Sequence, residues 1–214
     1  MKFLGIKILK TAALFVIFIF SILMLKVISQ YTSFDKNTGF LAFKQQVVNN
    51  RYWMAFFYVH IFSITFCLLA GLTQFSGRIL AESRKLHKII GRIYVYNILI
   101  INVPACFVLG LFSNGGFIGI TGFLIQDMLW MYFTIAAVIS VKKGNVSRHK
   151  MYMTLSYAVT TTAITFRIIK NLLYNETRHD YELFYGLNVW AALFINLFIA
   201  YIILKRNSSV IGKN

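Results

Sequence analysis

The sequence predicts an all-α polytopic membrane protein, a bundle of six transmembrane helices that forms a single integral membrane domain over residues 1–214. Composition is the first ground for this. Of 214 residues, 58% are apolar, 13% are charged and one is proline, whereas an average soluble domain is about 45–50% apolar and about 25% charged. The mean hydropathy of +0.69 is the second. The third is segmentation: six apolar stretches each approach the roughly 20 residues that a helix needs to cross a hydrocarbon core. Disorder, a collagen-like chain and a disulfide scaffold are excluded by the same figures.

The predicted spans run over 9–29, 52–75, 89–111, 118–141, 151–173 and 185–205. In the first, Lys2, Lys7 and Lys10 precede the run TAALFVIFIFSILML, and no small-x-small cleavage pattern follows. It is read as an uncleaved span and not as a signal peptide. The connection 30–51 is the longest. There Phe40, Phe43 or Lys44 and Val47 recur at helical spacing, which predicts a short interfacial helix. The third connection carries SNGG at 113–116, a tight turn by its Asn-Gly and Gly-Gly content. No span is evidently broken by Gly or Pro apart from Pro104 in the third. Cys67 and Cys106 both fall in apolar runs, form no C-x-x-C and read as packing residues.

Net charge is +16, from 22 Lys and Arg against 6 acids. On a soluble domain that would suggest nucleic acid. Position removes this reading. Lys2, Lys7 and Lys10 precede span one; Arg78, Arg84, Lys85, Lys88 and Arg92 surround the second connection; Lys142, Lys143, Arg148 and Lys150 hold the fourth; Lys205, Arg206 and Lys213 follow span six. The opposite side has Lys26, Lys36, Lys44, Arg51 and Arg178, interspersed with Asp35, Glu176, Asp180 and Glu182. The positive-inside rule then places both termini in the cytoplasm, with anionic headgroups as partners of the basic loops.

Ionisable groups at membrane depth cost at least about 2.5–3.5 kcal/mol on insertion scales and are functional candidates. They fall into two sets. The outer set is His60, Asn102, Asp127 and Arg167, which lie roughly 9–14 Å from the outer ends of four spans at helical rise. Asp127 is the one acid within a predicted span, and Arg167 or His60 is its expected partner. Thr160 and Ile164 flank the Arg167 face. A buried ion pair that fixes packing is the bland reading; a proton-accepting or ligand-binding site is the sharper one. The inner set is Gln74, Arg78, Arg84, His87, Arg92, Tyr94 and His149. His87 and His149 each open a helix, where unpaired N–H groups favour an anion. Two neutral imidazoles can also hold a metal or a haem iron, with Gln74, Arg78, Arg84, Arg92 and Tyr94 as candidate contacts to haem propionates or other anions. Ordinary inner-leaflet anchoring is the alternative. No P-loop, H-E-x-x-H, G-x-S-x-G or dinucleotide fingerprint occurs.

The stretch HIFSITFCLLAGLTQFSGRILAESRKLHKIIGRIYV resembles the signature of a bacterial predicted-membrane-protein family of unknown function. Its pattern is matched by His60, Gly71, Gln74, Phe75, Arg84, Leu86, His87, Gly91, Arg92 and Tyr94. A second block, HKMYMTLSYAVTTTAITFR, supplies His149, Met153, Ser156, Tyr157 and Arg167. The sequence departs from the pattern at Leu155, where a second Arg is expected, and at Tyr152, where Trp is usual. The resemblance covers roughly 55–170 and implies a core of four helices with polar groups from facing spans. The layout is also similar to four-helix membrane cytochromes of the b561 sort, by analogy of fold.

Three functions compete. One is a redox protein that holds haem b or a metal through His87 and His149 and exchanges electrons with a quinol. Another is an accessory or assembly subunit of a larger membrane complex. The third is a small-molecule or ion carrier built on the outer set.

Overall fold

A computed structural model of the chain describes residues 2–75, 77–173 and 180–211, with side chains over 15–75, 80–173 and 180–206. Among these residues all regular structure is helical, and it divides into two units, 1–105 and 106–214.

The first unit contains α1 (Lys2–Ser29), α2 (Arg51–Gln74), α3 (Gly77–Glu82) and α4 (Arg84–Tyr96). Helix α1 and helix α4 both pack on α2. The start of α2 is set by Asn50, whose side-chain oxygen accepts hydrogen bonds from the Tyr52 and Trp53 amides, the capping chemistry that satisfies orphan N–H groups. Ser83 does the same for α4 through Leu86 N–H. The predicted interfacial helix is replaced by two 3-10 turns, Gln30–Ser33 and Gly39–Phe43. Its predicted apolar face is also corrected: Leu41, Lys44 and Val48 are buried and Phe43 is exposed. A three-residue turn brings positions 41 and 44 to one side, and Val48 N–H bonds Lys44 O four residues back. The loop is pinned by the Tyr31 hydroxyl, which accepts the Phe40 N–H at 2.9 Å, and by Phe57, whose ring meets those of Tyr31, Phe40, Trp53 and Tyr58.

The third predicted span is continuous but not uniformly α-helical. A π-helical turn, Asn97–Asn102, joins α4 to α5 (Val103–Leu111). Pro104 has no N–H for the carbonyl one turn back, and the wider turn absorbs that loss, with Val103 N–H bonding Ile98 O five residues away.

The second unit contains α6 (Gly116–Lys142), α7 (Val146–Thr160), α8 (Thr162–Leu173) and α9 (Tyr181–Ile211). Helix α6 packs on α7 and α9, and α9 packs on α7 and α8. The SNGG turn is where it was predicted. Gly115 has φ +91°, and a Cβ there would sit 2.6 Å from Gly186 N on α9, so both conformation and close approach require glycine. Its N–H donates to Glu182 Oε2 at 2.5 Å, which ties the start of α6 to the start of α9.

Among the described residues five helices are long and apolar enough to cross a membrane: Phe15–Ser33, Arg51–Gln74, Arg84–Leu111, Gly116–Lys142 and Tyr181–Arg206. The remaining predicted span, 151–173, is two shorter helices interrupted at Thr161. The cause is the run Thr160-Thr161-Thr162. Each hydroxyl bonds a carbonyl three or four residues back: Thr160 to Ser156 O, Thr161 to Tyr157 O and Ala158 O, Thr162 to Val159 O. Such back-bonding competes with the helix ladder. Outward-facing Phe117, Phe194, Phe198 and Ile100 are each more than 60% exposed, as expected of helices whose solvent is lipid.

Candidate functional site

In the first unit, His60 and Asn102 of the predicted outer set are joined directly. His60 Nδ1 lies 2.8 Å from Asn102 Oδ1. The Asn102 amide donates to Ser63 Oγ at 3.0 Å, to Asn97 O at 3.1 Å and to Asn97 Oδ1. Asn97 in turn donates to Ser63 O, and Cys67 Sγ approaches Asn97 Oδ1. Asn102 and Cys67 are fully buried and Asn97 nearly so. The π-turn makes this possible by carrying both asparagines onto the α2-facing side, where one helical period would separate them. Since a carboxamide oxygen only accepts, His60 Nδ1 carries the proton in this bond. Asn97 and Ser63 were not singled out from sequence, and Cys67 was read only as a packing residue; Pro104 was the available signal.

In the second unit, Asp127 is 6% exposed and Trp130 is 5%. Asp127 Oδ1 is enclosed and has no hydrogen-bond partner among the described residues. Arg167, its expected partner, donates instead to Ala163 O at 2.9 Å, one turn back on its own helix. One face of α6 bonds α7 in successive rungs: Trp130 Nε1 to Thr160 Oγ1 at 3.0 Å, Thr134 Oγ1 with Ser156 Oγ at 2.8 Å, and Ala137 O with His149 Nδ1 at 2.9 Å. The interruption at Thr161 is braced by Asn196 of α9. Its amide donates to Ala158 O and Thr161 Oγ1, and its oxygen accepts from Thr165 Oγ1 at 2.7 Å. A backbone break at membrane depth is tolerated where protein groups satisfy the freed carbonyls, and Asn196 is such a group. The threonine run was the sequence signal for it.

Of the inner set, His87 is half-buried in the first turn of α4, Tyr94 is fully buried, and Arg84 and Arg92 are exposed. Gln74 is half-buried, with Nε2 enclosed and unbonded among the described residues. A Cβ at Gly91 would meet Gln74 Oε1 at 3.1 Å, so the absent side chain lets α4 lie close to the end of α2. The Arg78 side chain lies outside the described residues. His149 is half-buried, and its ring is fixed by Ala137 O. A carbonyl only accepts, so Nδ1 is the donor and the in-plane lone pair of the neutral ring sits on Nε2. His87 and His149 belong to different units, as do His60 and Asp127. Both cysteines are free thiols. Among the described residues no group of three or more His, Cys, Asp and Glu converges as a metal site.

No curated protein matches the chain, and neither does any solved structure. A family model does, over residues 57–204. The match starts within α2 and ends within α9, so it takes in the last span, which the sequence resemblance had left out, and leaves α1 outside. With buried polar groups on apolar helices and a match over more than half of its length, this chain belongs to the family described as predicted membrane protein (DUF2306), a family of unknown function.

Proposed function

We propose that this chain is a membrane redox protein that holds one haem b or a single metal ion through imidazole, with His149 as a ligand. The observation that carries the reading is the hydrogen bond between His149 Nδ1 and Ala137 O. Metal-ligating histidines generally give their second ring N–H to a carboxylate or backbone carbonyl, which fixes the tautomer and orients the ligating nitrogen. His149 has that arrangement, with Nε2 as the ligating atom. Haem suits the donor set better than a structural zinc, which asks for four protein ligands at one point, and no such cluster occurs among the described residues.

The sequence offers His87 as a second imidazole. Arg84 and Arg92, exposed on α4, supply cations of the kind that neutralise propionates or anionic headgroups. The haem would supply one-electron chemistry, and the chain's own part is to bind, orient and shield it. A quinol is the electron partner that lipid-embedded helices make accessible. The basic connections support a location in the bacterial inner membrane with both termini cytoplasmic.

The test is a reduced-minus-oxidised absorption spectrum of detergent-purified protein with metal analysis on the same sample, repeated for His149→Ala and His87→Ala. A Soret band lost in His149→Ala supports the reading. A colourless, metal-free protein that co-purifies with a larger complex overturns it in favour of an accessory subunit.

One observation favours a carrier as the second reading. The span 146–173 is interrupted at Thr161, and discontinuous helices line substrate sites in many transporters. Flux of a solute into proteoliposomes with no associated spectral change would select it.

A further inference from the structure

We propose that Asp127 is a proton-binding site within the membrane, serving a polar seam between α6 and α7. The seam is visible in the register of the two helices. Trp130, Thr134 and Ala137 recur at the spacing of one α6 face, and each bonds α7, at Thr160, Ser156 and His149 in turn. Asp127 is the next position on that face, three residues before Trp130. Continuing the register sets it opposite the interruption at Thr161, where α7 gives way to α8.

Its surroundings select the ligand. Asp127 is more than nine-tenths buried, and its Oδ1 is fully enclosed without a hydrogen-bond partner among the described residues. Titratable or charged groups on the elements packed against α6 are Arg148, His149, Lys150, Tyr152 and Tyr157 on α7 and Tyr181, Glu182, Tyr185, Tyr201, Lys205 and Arg206 on α9; α8, whose Phe166 ring meets that of Phe123 on α6, adds Arg167 and Lys170. None of them bonds Asp127 Oδ1, and Arg167 is turned to Ala163 O. A metal cation needs several oxygen ligands, and among the described residues no group of three or more His, Cys, Asp and Glu converges to supply them. A proton needs one oxygen. A carboxyl group that is enclosed, uncompensated by a cation and deep in an apolar span takes its neutralising charge as a proton. The hydroxyls of Thr160, Ser156 and Thr134 both donate and accept, which gives the seam groups able to pass that proton toward the His149 end. The site is independent of whether a haem is bound.

Infrared spectroscopy of the full chain in lipid tests it. The readout is the carbonyl stretch of a protonated carboxyl group. At neutral pH the wild type should show this band, it should shift in heavy water, and it should vanish in Asp127→Asn and on raising the pH far enough to ionise the group. Thr134→Val should slow the heavy-water shift at least several-fold without removing the band. If Asp127→Asn does not fold, carbon-13 aspartate labelling of the wild type gives the same assignment. The sequence has three Asp, of which Asp35 and Asp180 are exposed. A neutral-pH spectrum without the band, or a band that Asp127→Asn or the label leaves unmoved, overturns the proposal. So does a band that persists at every pH, because the group would then never release its proton.

Discussion

Asn102 holds the first unit's polar centre together because its one side chain serves four partners: His60, Ser63, and both the carbonyl and the side chain of Asn97. Removing one partner from a buried network strands the others, at about 1–3 kcal/mol for each unsatisfied group. Asn102→Ala should therefore lower stability in detergent by at least that much, read as a shift in thermal or denaturant midpoint. His60→Ala should cost less, since Asn102 would keep its three amide bonds. Equal effects would mean that the network is not organised around Asn102. His149 is held at a single ring nitrogen by Ala137 O. Replacing it by Ala should remove a bound chromophore while leaving helicity by circular dichroism unchanged. His60 and Asp127 were legible as single residues because an ionisable group in an apolar run stands out. The rest of the network around Asn102 was not, because Ser63 and Asn97 are unremarkable in sequence, Cys67 reads as a packing residue, and all three matter only once α2 and the π-turn meet.

At the scale of elements, helix ends follow from local residue chemistry more simply than helix interruptions do. Asn50, Ser83 and Asn145 each cap the helix that follows, and Gly115 opens α6 where the SNGG turn was placed. The break at Thr161 arises from a contest between side-chain and backbone hydrogen bonds and the π-turn at 97–102 from the missing N–H of Pro104, and hydropathy registers neither. Asn196 decides the first of these by bonding Ala158 O and Thr161 Oγ1. Interhelical hydrogen bonds in membranes average about 0.6 kcal/mol and reach about 1.7. Asn196→Ala should thus destabilise by about 1–2 kcal/mol and speed amide exchange around residues 158–165. Exchange unchanged there would show that Asn196 does not brace the interruption. The glycine turn offers a cleaner comparison. Gly115 and Gly116 both have positive φ, but a Cβ meets α9 only at Gly115, with nothing within 4 Å of Gly116. Gly116→Ala should cost about 1–2 kcal/mol, the strain of a left-handed conformation. Gly115→Ala should cost clearly more. Equal costs would remove the α6–α9 contact at Gly186 from the explanation.

For the whole molecule, composition and charge placement carried the class. Apolar side chains cover helix surfaces that water would penalise, and among the described residues five helices are long enough to span. Basic residues gather in alternate connections of the six-span reading, which predicts both termini on the cytoplasmic side and 146–173 as a sixth crossing formed of two half-helices. Reporter fusions at Lys2 and after Arg206 should report the same side. Opposite sides would mean that α7 and α8 do not cross together. Which helices neighbour one another, and what the inner imidazoles bind, depend on packing between spans that look alike in hydropathy.

The proposed ligation of a redox cofactor by His149 stands or falls on a reduced-minus-oxidised spectrum of the purified protein. The wild type should give a haem signal near one per chain that disappears in His149→Ala and survives in Asp127→Asn. A colourless, metal-free protein, or a haem signal indifferent to His149→Ala, would contradict it.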